Sequence, residues 1–114
     1  MTSRSQLKGE KFERSLRDYF RDCGYPAERP KNGEHDRGDI TGIHPDLTIE
    51  AKCYADVARA IRDGLADLAV EQANADTAHG IVIIKRRGVT HPGHQLVVCE
   101  LVDWLALWQK AYPR

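Results

Sequence analysis

Residues 39–52 read Asp-Ile-Thr-Gly-Ile-His-Pro-Asp-Leu-Thr-Ile-Glu-Ala-Lys. Two runs of strand-forming residues, 39–44 and 47–54, flank the turn-forming His44-Pro45-Asp46-Leu47. With Pro45-Asp46 at the tip of a hairpin, His44 faces Leu47, Thr41 faces Glu50 and Asp39 faces Lys52. Alternation along each strand then puts Asp39, Thr41, Glu50 and Lys52 on one face, opposite Ile40, Gly42 and Ala51. Asp39 and Glu50 become diagonal neighbours, about 7–8 Å apart at Cα. Two carboxylates that close repel unless a cation sits between them. Lys52 relieves part of the repulsion, and a hard divalent ion relieves more. A face crowded with charge is unexpected on strands apolar enough to be central.

The elements around this stretch follow from periodicity. Residues 5–23 carry Phe12, Leu16, Tyr19, Phe20 and Cys23 at helical spacing, with Gly24 and Pro26 as stop signals and Ser3 or Ser5 placed to cap the start. The segment 25–38 is polar and turn-rich, with a short strand around Ala27-Glu28-Arg29 and a turn at Asn32-Gly33. Asp56 caps a second helix over 57–75, whose stripe is Val57, Ile61, Leu65, Leu68 and Gln72. Strands follow at 80–86 and 95–101, separated by a loop at 88–93, and a final helix over 102–111 carries Trp104 and Trp108. This order describes one α/β domain with a mixed sheet, in which the second helix is the crossover between parallel strands.

Helical phase adds two polar residues to the charged face. Glu13 falls at the edge of the first helix's apolar stripe, aimed at the sheet margin, whereas Glu10 points away. Gln72 sits on the second helix's stripe, where a polar group needs a partner: a metal-bound water or a nearby backbone group.

Composition bounds the rest. The 114 residues include 17 basic and 17 acidic side chains, for a formal net charge of zero. That argues against coating nucleic acid by bulk charge and leaves room for a local basic patch. No run of about 18 apolar residues is present, and residues 1–8 lack the apolar core of a signal peptide. Cys23, Cys53 and Cys99 form no C-x-x-C pair, so reduced, mostly buried thiols and a cytoplasmic protein are expected. Neither His35 and His44 nor His91-x-x-His94 has a second ligand pair at zinc-binding spacing.

Three segments together carry a resemblance: Gly9-Glu-Lys-Phe-Glu13, Arg37-Gly-Asp39-Ile and Ile49-Glu50-Ala-Lys52. In this order they resemble the PD-(D/E)XK nuclease superfamily. Within it the chain is most similar to the small archaeal-type and phage-type Holliday junction resolvases, whose G-[FY]-x-x-x-R segment is matched by Gly24-Tyr-Pro-Ala-Glu-Arg29. The resemblance implies a restriction-endonuclease-like αβββαβ core, with a mixed central sheet flanked by helices. It implies Mg²⁺, with Mn²⁺ able to substitute, held by Asp39, Glu50 and the Ala51 carbonyl. Glu13 would support a metal or its water, Lys52 would be the catalytic lysine, and Gln72 is a supporting candidate.

The implied activity is structure-selective DNA endonuclease cleavage at four-way junctions. Alternatives are another nuclease of the superfamily (flap- or end-processing, repair or restriction-like) and a non-catalytic DNA-binding accessory module. Two features depart from the pattern: Gly38 stands where a proline is nominal, and Pro30-Lys31-Asn32 replaces a serine-containing stretch of the resolvases.

Arg29, Lys31, Arg37 and Lys85-Arg86-Arg87 are the candidate phosphate contacts. Asp56, Asp63, Asp67, Glu71 and Asp76 make the second helix an outward acidic face, so branched or double-stranded DNA is expected on the side of Asp39 and Glu50. Trp104, Leu105 and Trp108 either close the core or form a homodimer interface, and symmetric cutting of a junction favours the dimer.

Overall fold

The computed structural model describes residues 3–31 and 35–114. The first helix, α1 (Arg4–Asp22), begins in a capping box: Ser3 Oγ accepts from the Gln6 N–H at 3.1 Å, and Gln6 Oε1 accepts from the Ser3 N–H at 2.9 Å. Its buried side chains are Phe12 and Leu16, and Gly24, at φ 99°, turns the chain away past its end. A single turn of 3₁₀ helix follows at His35–Arg37, and then the strand β1 (Leu47–Lys52). The Asp56 carboxylate accepts from the Arg59 N–H at 3.1 Å and starts α2 (Val57–Ala75), which returns the chain to β2 (His79–Ile84). After a 3₁₀ turn at Pro92–His94 come β3 (Leu96–Val98) and α3 (Leu101–Ala111).

The sheet is mixed, in the order β1-β2-β3. β1 and β2 run parallel with Ile49 opposite Ile81 and Glu50 opposite Val82, so α2 is the expected crossover. β2 and β3 run antiparallel, with Ile83 opposite Val97. Strand alternation divides the interior in two. Ile40, Ile49 and Ile83 pack with Phe12 and Leu16 of α1, while Val82 and Ile84 pack with Ala60 and Leu68 of α2. Gly64 is what lets α2 lie this close: a Cβ there would stand 2.6 Å from Val82 Cγ1.

Several expectations are corrected. The hairpin over 39–54 does not form as two regular strands. Its first arm is reduced to isolated antiparallel bridges, Ile40 with Ile49 and Glu28 with Thr41, so the regular elements run α-β-α-β-β-α rather than αβββαβ. The reason is backbone conformation. Gly38 and Gly42 take φ 110° and 89°, which no extended ladder accommodates, and Gly42 lies so close to Pro26 that a Cβ would stand 2.2 Å from its carbonyl oxygen. The strand at 95–101 shrinks to Leu96–Val98, and α3 takes over from Leu101. The expected strand residues at 27–29 contribute only the Glu28 bridge, and the Asn32-Gly33 turn lies outside the described residues.

The cysteines are free, but none is buried: Cys23 is exposed, and Cys53 and Cys99 are half-buried. Trp104 and Trp108 do not close the core either. They stack on each other with ring centroids 5.4 Å apart, and each is 48% exposed. Among the described residues, no helix is long and apolar enough to cross a membrane.

Candidate active site

The Ile40–Ile49 bridge sets the register of the site. It places Asp39 directly across from Glu50, two residues from the register expected on the turn. Because side chains alternate with a period of two, that slip leaves the faces unchanged. Asp39, Glu50 and Lys52 still share one face, and the two carboxylates are closer neighbours than a diagonal would make them.

Gly38 prepares this arrangement. With φ at 110°, it turns the Asp39 N–H onto the Ile49 carbonyl at 2.7 Å. Proline, fixed near φ −65°, has no place at that position. The Asp39 side chain then takes over where strand pairing stops: its Oδ2 accepts from the Ala51 N–H at 2.9 Å. The acid is thereby oriented by β1 itself.

The face opposite this strand pair is α2, and its phase is a correction. The buried residues are Ala60, Gly64, Leu68 and Glu71: of the expected stripe Leu68 is buried and Ile61 and Leu65 pack half-buried beside it, while the centre of the buried face moves to Ala60, Gly64 and Glu71. Glu71, expected on an outward face, is buried against Glu50, and Asp67 reaches Lys52 at 2.6 Å. Asp39, Glu50 and Glu71 thus form a group of buried carboxyls. Glu50 is 4% exposed, and its Oε2 and that of Glu71 find no hydrogen-bond partner among the described residues.

Burial pushes the Glu50 carboxyl up to about 12, with the neighbouring Asp39 and Glu71 carboxyls acting in the same direction. Glu71 is raised as well, chiefly by burial and by the charges of Asp39 and Asp67. Burial pulls the Lys52 ammonium down, but its hydrogen bond to Asp67 and the charges of Glu50 and Asp67 outweigh this and hold it above its usual value. Lys52 Nζ lies 3.9 Å from Glu50 Oε1 and 5.5 Å from the centre of the Tyr54 ring.

The other candidates separate into different surroundings. Glu13 accepts from Nε and Nη2 of Arg29 at 3.2 and 3.1 Å, so α1 presents the acid with a guanidinium beside it. Gln72 donates to the Thr77 carbonyl at 3.5 Å and packs on Gly80, serving the turn between α2 and β2. Lys85 donates to the Arg86 and Val89 carbonyls and so closes its own loop. Arg86 donates to the His94 carbonyl at 3.1 Å. Lys85 and Arg87 line a cleft of about 580 Å³ beside α1, while Arg37 lines a smaller one of about 420 Å³ with Thr41 and His44. Lys31 is exposed.

Among the described residues, no three His, Cys, Asp or Glu side chains converge as a ready-made metal cage. Hard ions such as Mg²⁺ do not need one, because they keep several waters and take one or two carboxylates. The orphaned oxygens of Glu50 and Glu71 are all-oxygen donors with unused lone pairs, so the residues present fit such an ion.

Glu71 is the site residue that sequence reasoning passed over. The available signal was the run of small residues Ala60 and Gly64, which are in phase with Leu68 and Glu71 rather than with Ile61 and Leu65. Compared with known proteins, the chain matches no family model and no curated protein.

Proposed function

We propose that this protein is a metal-dependent DNA endonuclease, most similar in action to a Holliday junction resolvase, that hydrolyses phosphodiester bonds in branched or double-stranded DNA. The observation that carries the reading is the buried group of Asp39, Glu50 and Glu71 beside Lys52. Three carboxyls gathered away from water, two with unpartnered oxygens, cost stability unless a cation or a proton compensates them.

Asp39 and Glu50, with the Ala51 carbonyl, are the residues to hold Mg²⁺ or Mn²⁺, and Glu71 joins them from α2. When bound, the ion supplies Lewis-acid polarisation of the phosphate and a more acidic water. The Ala51 N–H fixes the Asp39 carboxylate in place. Lys52, kept charged chiefly by its hydrogen bond to Asp67, serves as a hydrogen-bond donor to charge developing on phosphate oxygens rather than as a proton acceptor. Glu13 of α1 stands beside Arg29, and its support of the water rests on the resemblance alone.

A homodimer in a cytoplasmic setting goes with this reading. Trp104 and Trp108 of α3 and Tyr112 just past its end form an exposed aromatic row, and Leu96 and Val97 of the last strand are exposed as well. A second copy seated there would bring a second site to the opposite strand of a junction.

The test is a substrate panel: labelled four-way junction, flap, linear duplex and single strand, with Mg²⁺ or Mn²⁺. Paired symmetric nicks near the crossover, abolished by Asp39→Asn and Glu50→Gln, are expected. Equal cleavage of every duplex would replace the resolvase reading by that of a general nuclease. No cleavage with either metal, together with no metal binding by calorimetry, would remove the enzyme altogether.

A further inference from the structure

The cleft of about 580 Å³ beside α1 lies on the other side of the sheet from the carboxyl group and is not part of it. Its rim carries Lys8 and Lys11 from α1 and Lys85 and Arg87 from the loop after β2, and no Asp or Glu among the described residues lines it. Lys85 is committed to its own loop. Among the described residues, Lys8, Lys11 and Arg87 pair with no carboxylate, so their charge faces whatever occupies the cleft. The cleft wall is not polar throughout: Phe12, Cys53 and Tyr54 contribute to it.

Sequence connects this cleft to the carboxyl group. Cys53, Tyr54 and Ala55 follow directly on Lys52, and the Lys52 ammonium lies 5.5 Å from the centre of the Tyr54 ring. Tyr54 therefore stands at the boundary of the two: it lines the cleft and also packs against the cluster of Ala60, Leu68, Val82 and Ile84 on the α2 side. Arg59 lies over the same ring at 5.4 Å.

We propose that this cleft holds one unpaired strand of nucleic acid, its phosphates on Lys8, Lys11 and Arg87 and a base against Tyr54. A cationic rim alone would suit any phosphate backbone. The apolar and aromatic wall favours an unstacked base, because a duplex keeps its bases out of reach of a side wall. The volume lies within the range of sites that enclose a small ligand, about 300–1,000 Å³. The proposal rests on the hydrolase reading of the neighbouring carboxyl group and extends it. With Tyr54 between the carboxyl group and the cleft, the substrate is gripped on a frayed or branched segment.

Binding of fluorescein-labelled oligothymidylate, followed by anisotropy in EDTA over a series of salt concentrations, tests this without any cleavage. The double variant Lys8→Ala/Lys11→Ala, at two exposed positions, is expected to bind more weakly. Its slope of log affinity against log salt is expected to fall by about 1.4, since each single-strand phosphate contact contributes about 0.7. Tyr54→Leu is expected to lose at least about fivefold in affinity for the oligonucleotide but not for a blunt duplex, while Tyr54→Phe retains it.

Alkylation gives a second readout: bound oligonucleotide should protect Cys53 in the cleft and leave the exposed Cys23 reactive. An unchanged salt slope, or duplex affinity that falls in parallel with oligonucleotide affinity in Tyr54→Leu, would overturn the proposal. Wild-type protein that binds the oligonucleotide in this way, yet cleaves no substrate with either metal, would remove the hydrolase reading and leave the cleft assignment supported.

Discussion

Replacing Glu50 by glutamine should make the metal-free protein more stable. Glu50 is 4% exposed and its carboxyl is pushed up to about 12, so it is protonated in the fold at neutral pH. In the unfolded chain it ionises near its ordinary value of 4.5. Folding at pH 7 therefore has to protonate it against a gap of two and a half pH units. At about 1.4 kcal/mol for each, the penalty is about 3 kcal/mol. This figure does not depend on how high the folded value lies, provided it is above 7.

Glutamine is neutral, nearly isosteric, and able to donate to Asp39 or Glu71. A gain of about 1–3 kcal/mol, or on the order of 5–10 °C in Tm, is expected. The pH dependence has a definite sign. A group raised on folding contributes stability that is fully present below its unfolded value and is lost as pH rises toward its folded one. Wild-type stability in EDTA should thus fall between pH 5 and pH 8, with the raised Glu71 adding in the same direction. The advantage of Glu50→Gln should shrink toward pH 4.5. Urea unfolding followed by far-UV circular dichroism at pH 5, 6, 7 and 8 reads both trends. A variant less stable than wild type at pH 8, or a difference that does not change with pH, would refute the reasoning. Added Mg²⁺ should raise wild-type stability and leave the variant nearly unmoved.

Three further outcomes follow from the geometry. Lys52→Met keeps the stem that packs near Gly64 but removes the ammonium, and should lower the cleavage rate at least about a hundredfold while leaving the far-UV spectrum intact. Gly38→Ala places a side chain at φ 110°, with its Cβ 3.0 Å from the Ile49 carbonyl oxygen, and should cost about 1–3 kcal/mol in urea unfolding. Gly64→Ala should destabilise by about 1–3 kcal/mol despite alanine's better helix propensity, because its Cβ would meet Val82 at 2.6 Å. Adding Val82→Ala should recover part of that loss, which a double-mutant cycle measures.

The elements set by local chemistry were legible in the sequence. Asp56 caps α2 where expected, and Ser3 caps α1. The helix between two apolar runs is the parallel crossover. The common face of Asp39, Glu50 and Lys52 was also legible, because a period of two survives the two-residue change of register. Tertiary effects were not. The first arm of the hairpin is undone by Gly38 and Gly42, whose positive φ values are set by close contacts with Ile49 and Pro26 rather than by neighbours in sequence. Glu71 was hidden because it lies one residue, about 100° of rotation, from Gln72 on the helix. Val57, Ile61 and Leu65 look like the core stripe, yet Val57 is 37% exposed, Ile61 and Leu65 pack half-buried at the edge, and Ala60 and Gly64 take the centre. Small residues there let α2 approach β2, and an acid was assigned outward because acids so seldom lie inside.

The hydrogen bond from the Ala51 amide to Asp39 has an evolutionary consequence. A descendant that gave up hydrolysis would still need an acceptor at position 39, since without it the end of β1 is left with an unpaired donor. Aspartate at that place, or asparagine, is thus what drift alone would preserve, and finding one in a related chain says little about chemistry. Glu50 is the opposite case. It weakens the fold that carries it, so selection for stability alone would discard it, and its retention is the better mark of a working enzyme.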